Sequence, residues 1–368
     1  MGYVIVTAVC IAVAAVLFKV SNPLLDKLIL PESTEALATI ENNSDALAQE
    51  FDPLKTADIF RYGRMGFLKE EVDSMETNIG MSFFLSQSMP KWFIYLLEKH
   101  SRFPSFANSP NVKKFEARTV DILDARKIGH EHLSFDKNGF TLLKMQEPST
   151  TTQWRNRNDV KQFQDEIYPE LMKLFPGASR IRFTSNIVRG GSFLGDQPAA
   201  VDAPHLDYSQ DDAAREAFHE EYPVKDMVLE HLALLGRWDT EEDEMKTLIG
   251  IWKPILMTNP VYDHPLAIMD AGTFRREQER PHFLHFDLGF FKIDNLNGAI
   301  VFDPDQRWYY YPYQEDTEVL VFTQYSKGRH FANPHSSFRS PSQPSNSTFD
   351  SRISVEMRAA VFYPKHKA

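Results

Sequence analysis

The segment APHLDY contains a histidine and an aspartate two residues apart, His205 and Asp207. Side chains along an extended strand alternate between its two faces, so both residues would point to the same side. With a second histidine from a distant strand they would form a facial triad of two imidazoles and one carboxylate. Such a triad binds Fe(II) and leaves coordination positions open for a co-substrate and oxygen. The spacing therefore predicts a non-haem iron site.

Spacing alone leaves both parts of this triad open. His285 and Asp287 repeat the His-x-Asp pattern, in a chain that contains 12 histidines. The distal histidine could be His335, which lies between a predicted strand and the last strand of the chain, or its close competitor His330. The order His-x-Asp, distal histidine, arginine-bearing strand is the one that a double-stranded β-helix oxygenase requires.

The last predicted strand, Arg352 to Tyr363, alternates cleanly between apolar and polar residues. Its apolar face contains Ile353, Val355, Met357, Ala359 and Val361, and its polar face contains Arg352, Ser354, Glu356 and Arg358. A buried polar face is costly unless an anion binds there, and arginine with a neighbouring hydroxyl suits a carboxylate. Arg352 and Ser354 are therefore candidate contacts for the distal carboxylate of 2-oxoglutarate, with Arg358 on the same face. Alternatively, this face is exposed to solvent and Glu356 pairs with Arg358.

Composition excludes several classes of function. The 368 residues carry a net charge of −11, so a role in nucleic-acid binding is not expected. Cys10 is the only cysteine, which excludes intrachain disulfides and cysteine-rich zinc sites. Because Cys10 lies in the apolar N-terminal segment, thiol catalysis is excluded for the rest of the chain.

The N-terminal segment has no charged side chain before Lys19. It is just long enough to cross a bilayer as a helix, and the positive charges Lys19 and Lys27 follow it. We therefore predict that residues 1–21 anchor the chain in a membrane, with the main domain in the cytoplasm. The alternative is a leader for an organelle or for secretion that is later removed.

Two further regions follow the apolar segment. Residues 22–117 are predicted to be a helical N-terminal region, with helices near 33–51 and 89–99. Residues 118–368 are predicted to form a mixed α/β domain with a mainly β core, a barrel or sandwich with helices outside it. Its predicted helices span 159–175, 213–221 and 225–235, and its predicted strands span 118–124, 139–145, 181–189, 248–257, 299–302, 318–325 and 352–363.

A series of segments in this second region resembles one known family. They are ILDAR (122–126), SFDKNGF (134–140), IYPEL (167–171), PGASRIRF (176–183), APHLDYSQDDAAREA (203–217), IWKPI (251–255), HPLAIMDA (264–271), DPDQRWYYYPYQEDTEVLVF (303–322), PHSSF (334–338) and SRISVEMRAAVF (351–362). In this order, over roughly 245 residues, they resemble the fungal gibberellin desaturase and cephem methoxylase-like family of Fe(II)/2-oxoglutarate oxygenases. The resemblance implies a double-stranded β-helix, or cupin-like jelly roll.

The resemblance also implies a site. His205, Asp207 and His335 would be the iron ligands, and Arg352 with Ser354 would contact 2-oxoglutarate, O2 being the second co-substrate. His285 and Asp287 fall between the matched blocks. The sequence departs from the family at three places: Tyr208-Ser209-Gln210 replaces Gln-Thr, Lys253 replaces arginine, and Gly250 stands where asparagine is frequent. These departures predict a pocket adapted to another substrate.

The expected activity is oxidation of a small metabolite by hydroxylation, desaturation or oxidative ring closure. An apolar anchor would suit a lipophilic or prenylated substrate, as in kainoid-type biosynthesis. The aromatic cluster Trp308, Tyr309, Tyr310, Tyr311 and Tyr313 would either wall such a pocket or pack within the core. Two alternatives remain, another metal-dependent cupin-like enzyme and a membrane-anchored binding protein without catalysis. The oligomeric state is left open.

Overall fold

The structure is a computed structural model that describes residues 60–73, 75–80, 114–128, 132–145, 157–190, 203–255, 264–287, 292–338 and 353–365. All of them lie in the compact unit Ile59–Ala368. The predicted apolar segment 1–21 and the helices predicted near 33–51 and 89–99 lie outside the described residues, so the membrane anchor stays a prediction. No helix within the described part of the chain combines the length and apolar character needed to cross a membrane.

Within these residues the chain forms fourteen strands and five α-helices. The strands are β1 (Phe60–Leu68), β2 (Met75–Gly80), β3 (Phe115–Asp124), β4 (Phe140–Lys144), β5 (Arg180–Gly190), β6 (His205–Leu206), β7 (Asp243–Pro254), β8 (Leu266–Met269), β9 (Glu279–Asp287), β10 (Lys292–Ile300), β11 (Trp308–Tyr310), β12 (Glu318–Ser326), β13 (His335–Ser337) and β14 (Ile353–Pro364). The helices are α1 (Ala125–Ile128), α2 (Phe135–Asn138), α3 (Arg157–Leu174), α4 (Asp212–Glu221) and α5 (Leu229–Leu234).

The strands form two sheets. The larger sheet has the order β1-β3-β11-β8-β13-β6-β10-β9-β2, and the smaller has the order β4-β12-β7-β14-β5. The pairs are antiparallel except β3 with β11 and β2 with β9, which are parallel. Strands β6 and β13, which carry the two predicted histidine ligands, are neighbours in the middle of the larger sheet.

Helix α3 covers the outer face of the smaller sheet. Its residues Val160, Phe163, Ile167 and Leu171 are buried at helical spacing, and they pack in one cluster with Val355 and its apolar neighbours on β14. An amphipathic helix and an alternating strand bury such faces against each other because each removes apolar surface from water. The apolar face of the last strand therefore points outward, toward α3.

The inner faces of the two sheets pack against each other. One cluster joins Trp252 and Phe322 of the smaller sheet to Ile268 and Tyr309 of the larger one. The Phe140 and Tyr309 rings, one from each sheet, lie with their centroids 5.7 Å apart. The polar face of β14 lies on this inner side, where Ser354 is fully buried. The solvent-exposed alternative predicted for that face is therefore wrong for Ser354.

Several predicted elements are observed with small shifts of their ends, among them α3, α4 and the strands β5, β12 and β14. The helical character predicted for residues 22–117 does not extend to β1 and β2, which are strands at the edges of the larger sheet. Strand β3 also begins at Phe115, ahead of the predicted boundary. The domain limits themselves stay a prediction.

Candidate metal centre

His205, Asp207 and His335 lie together on the inner side of the larger sheet. His205 and His335 are direct partners across β6 and β13, which places their ring centroids 4.5 Å apart. Asp207 follows β6 immediately, and one ligand atom from each of the three residues lies within 4.8 Å of the other two. Of the residues that the structure describes, only these three form such a group. The predicted triad is thus brought together by strand pairing.

Backbone carbonyls orient the two imidazoles. The Nδ1 atom of His205 lies 2.8 Å from the carbonyl oxygen of Ala203, and Nδ1 of His335 lies 3.2 Å from that of Asn333. With Nδ1 protonated each ring donates to its carbonyl, which leaves both Nε2 atoms as acceptors facing Asp207, at 3.7 Å and 4.0 Å from its oxygens. Such outer hydrogen bonds fix the tautomer that a metal requires.

Two side chains bind the carboxylate of Asp207. The guanidinium Nε of Arg358 donates to Oδ2 over 2.8 Å, and Nε2 of Gln324 donates to the same oxygen over 2.6 Å. Burial opposes ionisation of Asp207, but Arg358 and the two histidines outweigh it, so its pKa lies well below the usual range. The carboxylate is therefore ionised, with Oδ2 engaged by protein donors and Oδ1 nearer to His205.

The donor set fits Fe(II). Two imidazole nitrogens and one carboxylate with positions left open form the set typical of non-haem iron oxygenases. The buried Oγ of Ser354 has no hydrogen-bond partner among the described residues, which is costly unless a ligand supplies one. Arg352, its predicted companion, lies outside the described residues.

Arg358 has a different environment from the one predicted for it. Its side chain is only 14% exposed, and it bonds to Asp207 and, over 3.3 Å, to the hydroxyl of Ser185. The predicted alternative, a pairing with Glu356 on a solvated face, is therefore wrong. Burial alone would lower the pKa of Arg358, but Asp207 outweighs burial and raises it well above the usual value.

The competing histidines lie elsewhere. His285 on β9 places Nδ1 2.7 Å from Oδ1 of Asp294, and its Nε2 lies 3.5 Å from the hydroxyl of Tyr222. The side chain of Asp287 lies outside the described part of the structure. His330 stacks on Phe274, with ring centroids 4.5 Å apart. In the described structure neither histidine joins a three-ligand group.

The departures from the family pattern have distinct structural roles. Lys253 lies on the outer face of the smaller sheet, where Nζ donates to the carbonyl of Pro254 over 3.1 Å and sits 5.8 Å from the Phe163 ring of α3. Burial lowers its pKa to about 8. It therefore does not line the space between the sheets, and the inference that this residue reshapes the pocket is wrong.

Ser209 and Gln210 hold the chain that follows Asp207. The Ser209 hydroxyl donates to Oε1 of Glu279 over 2.5 Å, and the backbone N–H of Gln210 donates to the same oxygen over 2.9 Å. The Gln210 amide donates to the carbonyl oxygens of Tyr208 and Gln324. These residues are buried and structural, and they fix the strand exit next to the triad.

Replacing Glu279 with glutamine is expected to flatten the pH dependence of stability. Burial raises the pKa of Glu279 from 4.5 to about 7. Between these values the folded chain holds a proton that the unfolded chain releases, so the free energy of unfolding falls as pH rises, by roughly 3 kcal/mol in all. Urea denaturation at pH 5 and pH 8 would measure this decline in the wild type and its loss in Glu279→Gln. Exposed Glu277→Gln is the control, and an unchanged decline in Glu279→Gln would contradict the assignment.

The aromatic residues near β11 belong to the packed core. Trp308 and Tyr310 lie in one buried cluster, and Tyr309 and Tyr311 lie in another. All four are at most 6% exposed. The packing alternative therefore holds for them.

Some functional neighbours carried no signal in the sequence. Gln324 on β12 binds Asp207, and Asn333 positions the strand before His335 by accepting from the Thr323 N–H and donating to the carbonyls of Asn138 and Met269. Neither residue is part of a short sequence motif, because each contacts residues that are distant in the chain. A polar side chain on a buried alternating strand, as at Gln324, was the one available hint.

Comparisons with known proteins agree with this site. Residues 84–362, more than half of the chain, match the family described as oxidoreductase/YMDC permease-like domain. The alpha-ketoglutarate-dependent dioxygenase phiK of a fungal species is 26% identical over 269 residues, which cover 68% of this chain and 86% of that protein. Aspirochlorine biosynthesis protein N of Aspergillus oryzae is 25% identical over 209 residues, covering 53% of this chain and 85% of that protein.

Solved structures of one enzyme share the fold. The iron and alpha-ketoglutarate-dependent endoperoxidase NvfI superposes with a TM-score of 0.58 at 18% identity, covering 84% of this chain and 100% of that chain. A second structure of it, in a different conformation, gives a TM-score of 0.59. This likeness confirms the expected mainly β architecture with curled, jelly-roll-like sheets. The chain therefore belongs to the oxidoreductase/YMDC permease-like family, and its resemblance to fungal Fe(II)/2-oxoglutarate-type oxygenases is confirmed.

Proposed function

We propose that this chain is an Fe(II)- and 2-oxoglutarate-dependent oxygenase that acts on a small specialised metabolite. The observation that carries the proposal is the cluster of His205, Asp207 and His335, whose ligand atoms lie within 4.8 Å of one another. The relatives named as an alpha-ketoglutarate-dependent dioxygenase and as a protein of aspirochlorine biosynthesis support both the chemistry and the kind of substrate.

Each residue has a defined part in this proposal. His205, Asp207 and His335 would hold the iron, which with 2-oxoglutarate and O2 supplies the oxidising chemistry. Gln324 and Arg358 hold Oδ2 of Asp207, so that the carboxylate faces the metal in one orientation. The buried Oγ of Ser354 would donate to the distal carboxylate of 2-oxoglutarate, with Arg352 as its charged partner.

The substrate proposed is lipophilic or prenylated, oxidised by hydroxylation, desaturation or ring closure. The uncharged N-terminal segment supports this, because an anchored enzyme meets substrates that partition into the bilayer. The buried apolar cluster that joins the inner faces of the two sheets also suits a substrate radical that must be kept from water. Candidate prenylated amino acids should raise succinate formation above its uncoupled rate, and no response to any lipophilic candidate would contradict this substrate class.

Succinate release from 2-oxoglutarate tests the reaction. The full chain, purified without oxygen, is supplied with Fe(II), 2-oxoglutarate and O2. We expect uncoupled succinate formation in the wild type and its loss, by at least about a hundredfold, in His205→Ala, because a triad missing one ligand holds the metal poorly. His285→Ala is the matched control, since His285 pairs with Asp294 instead.

The outcomes separate the alternatives. Loss of succinate in His285→Ala alone would move the iron site to the second His-x-Asp pair. A wild type that binds iron and forms no succinate, with or without candidate substrates, would favour another metal-dependent reaction. A wild type that binds no metal would favour a binding protein without catalysis.

A further inference from the structure

We propose that Glu230, in helix α5, is a positioning residue that sets the orientation of Asp207, and with it the affinity for a metal, through Arg358. This inference rests on the proposed function, since it concerns the same metal centre. Glu230 is only 2% exposed, although it carries a carboxyl group. Burial of a carboxyl group costs folding free energy unless hydrogen-bond donors or a cation compensate for the lost water.

Three partners of Glu230 come from β5 and from the chain that follows β6. The hydroxyl of Thr184 donates to Oε1 over 2.6 Å, and the hydroxyl of Ser185, next along β5, donates to the same oxygen. The phenol of Tyr208, the residue directly after Asp207, is also hydrogen-bonded to Glu230. Burial raises the pKa of Tyr208 well above its usual value, so the phenol keeps its proton and remains a donor. Glu230 therefore fixes the chain at the exit of β6.

The link to the metal centre passes through Ser185 and Arg358. The Ser185 hydroxyl lies 3.3 Å from a terminal nitrogen of Arg358, whose Nε donates to Oδ2 of Asp207 over 2.8 Å. The guanidinium thus lies between two buried acidic side chains, one bonded directly and one through a hydroxyl. Two acids and one base leave a net negative charge facing the metal position.

Neutralising Glu230 would alter this balance. Asp207 would then be the one acidic side chain left in the network, and the attraction of Arg358 for that carboxylate would compete with a divalent metal. The net charge of Asp207, Glu230 and Arg358 together would also change from −1 to zero. The loss of this negative charge weakens the attraction for a metal cation in a low-dielectric interior. Both effects lower metal affinity without removing any metal ligand.

Glu230→Gln, Ser185→Ala and Thr184→Val test this route. Thr184 and Ser185 both donate to Glu230, but only Ser185 contacts the guanidinium of Arg358, so Thr184→Val is the matched control. The metal-free full chain is titrated with Co(II), followed by its visible absorption, and its melting temperature is measured in parallel. We expect Co(II) to bind about tenfold or more weakly in Glu230→Gln and about tenfold more weakly in Ser185→Ala.

Thr184→Val should bind Co(II) as the wild type does, even if its melting temperature falls. Unchanged Co(II) affinity in Glu230→Gln and Ser185→Ala, or an equal loss in Thr184→Val, would overturn the proposal. If Glu230→Gln does not fold, Ser185→Ala against Thr184→Val decides it. A wild type that fails to bind Co(II) would instead overturn the proposed metal centre, so the two failures are distinguishable.

Discussion

Arg358→Met is expected to lower the free energy of unfolding of the metal-free protein by about 3–5 kcal/mol at neutral pH, because it removes the cation from a buried ion pair. Asp207 and Glu230 would remain as buried acids with hydrogen bonds but no base. Burial, which Arg358 and the two histidines now outweigh together, would then be opposed by the histidines alone, so the pKa of Asp207 would rise. The deficit relative to the wild type should therefore be largest at neutral pH and shrink as pH falls toward 4.

A divalent metal should restore much of this lost stability. Adding Co(II) supplies the missing positive charge at Asp207, so the metal-induced rise in melting temperature should be larger in Arg358→Met than in the wild type. Arg180→Met is the control: Arg180 forms a bidentate pair with Asp243, but none of its hydrogen bonds reaches the triad. It should lose less stability, since its side chain is 31% exposed, and gain nothing extra from Co(II). Equal rescue of both variants would contradict the assigned role of Arg358.

The elements that the sequence predicted well are those whose pattern reports burial directly. The alternation in β14 gave its two faces, and the apolar spacing of α3 gave the helix that covers one of them. The pattern could not decide whether the polar face met solvent or the interior. That choice depends on the opposite sheet, which buries Ser354 and supplies Asp207 as the partner of Arg358.

Strands β1 and β2 show the opposite case. The sequence METNIG of β2 contains residues that are uncommon in strands, and FRYGRMGFL of β1 includes two glycines and two arginines. Both are edge strands whose conformation comes from pairing with β3 and β9. Tertiary pairing outweighs local preference at such positions, so propensity alone could not find them.

The sequence predicted the metal ligands, but it did not predict the side chains that hold those ligands in place. His-x-Asp spacing gave His205 and Asp207 because these ligands lie two residues apart, at and just after one short strand, and the resemblance selected His335. The groups that hold Asp207, directly or through Arg358, come from β12, β14 and α5, each more than twenty residues away in the chain. Only the folded arrangement brings Gln324 and Arg358 to this carboxylate, and brings Glu230 to Arg358 through the hydroxyl of Ser185.

Gly250→Asn, which restores the residue frequent in the resembling family, is expected to destabilise this protein by about 2–3 kcal/mol through overpacking. A Cβ atom at Gly250 would lie 2.4 Å from Cζ of Phe322 and 2.9 Å from Nε2 of Gln324. The Phe322 ring fills the space that the glycine leaves and contacts His335, with centroids 4.9 Å apart. The substitution must therefore move two side chains that touch the triad.

Metal affinity should fall together with stability. Displacing Gln324 weakens its hydrogen bond to Asp207, and outer contacts of this kind typically change metal affinity by about tenfold or more. Gly177→Asn is the matched control, because nothing lies within 4 Å of a Cβ there and asparagine tolerates its φ of +82°. Chemical denaturation and Co(II) titration should show lower stability and weaker Co(II) binding in Gly250→Asn. In Gly177→Asn the free energy of unfolding should change by no more than about 0.5 kcal/mol. If Gly250→Asn kept wild-type stability and Co(II) affinity, Phe322 would have room to move, and the glycine would not be what shapes this wall of the site.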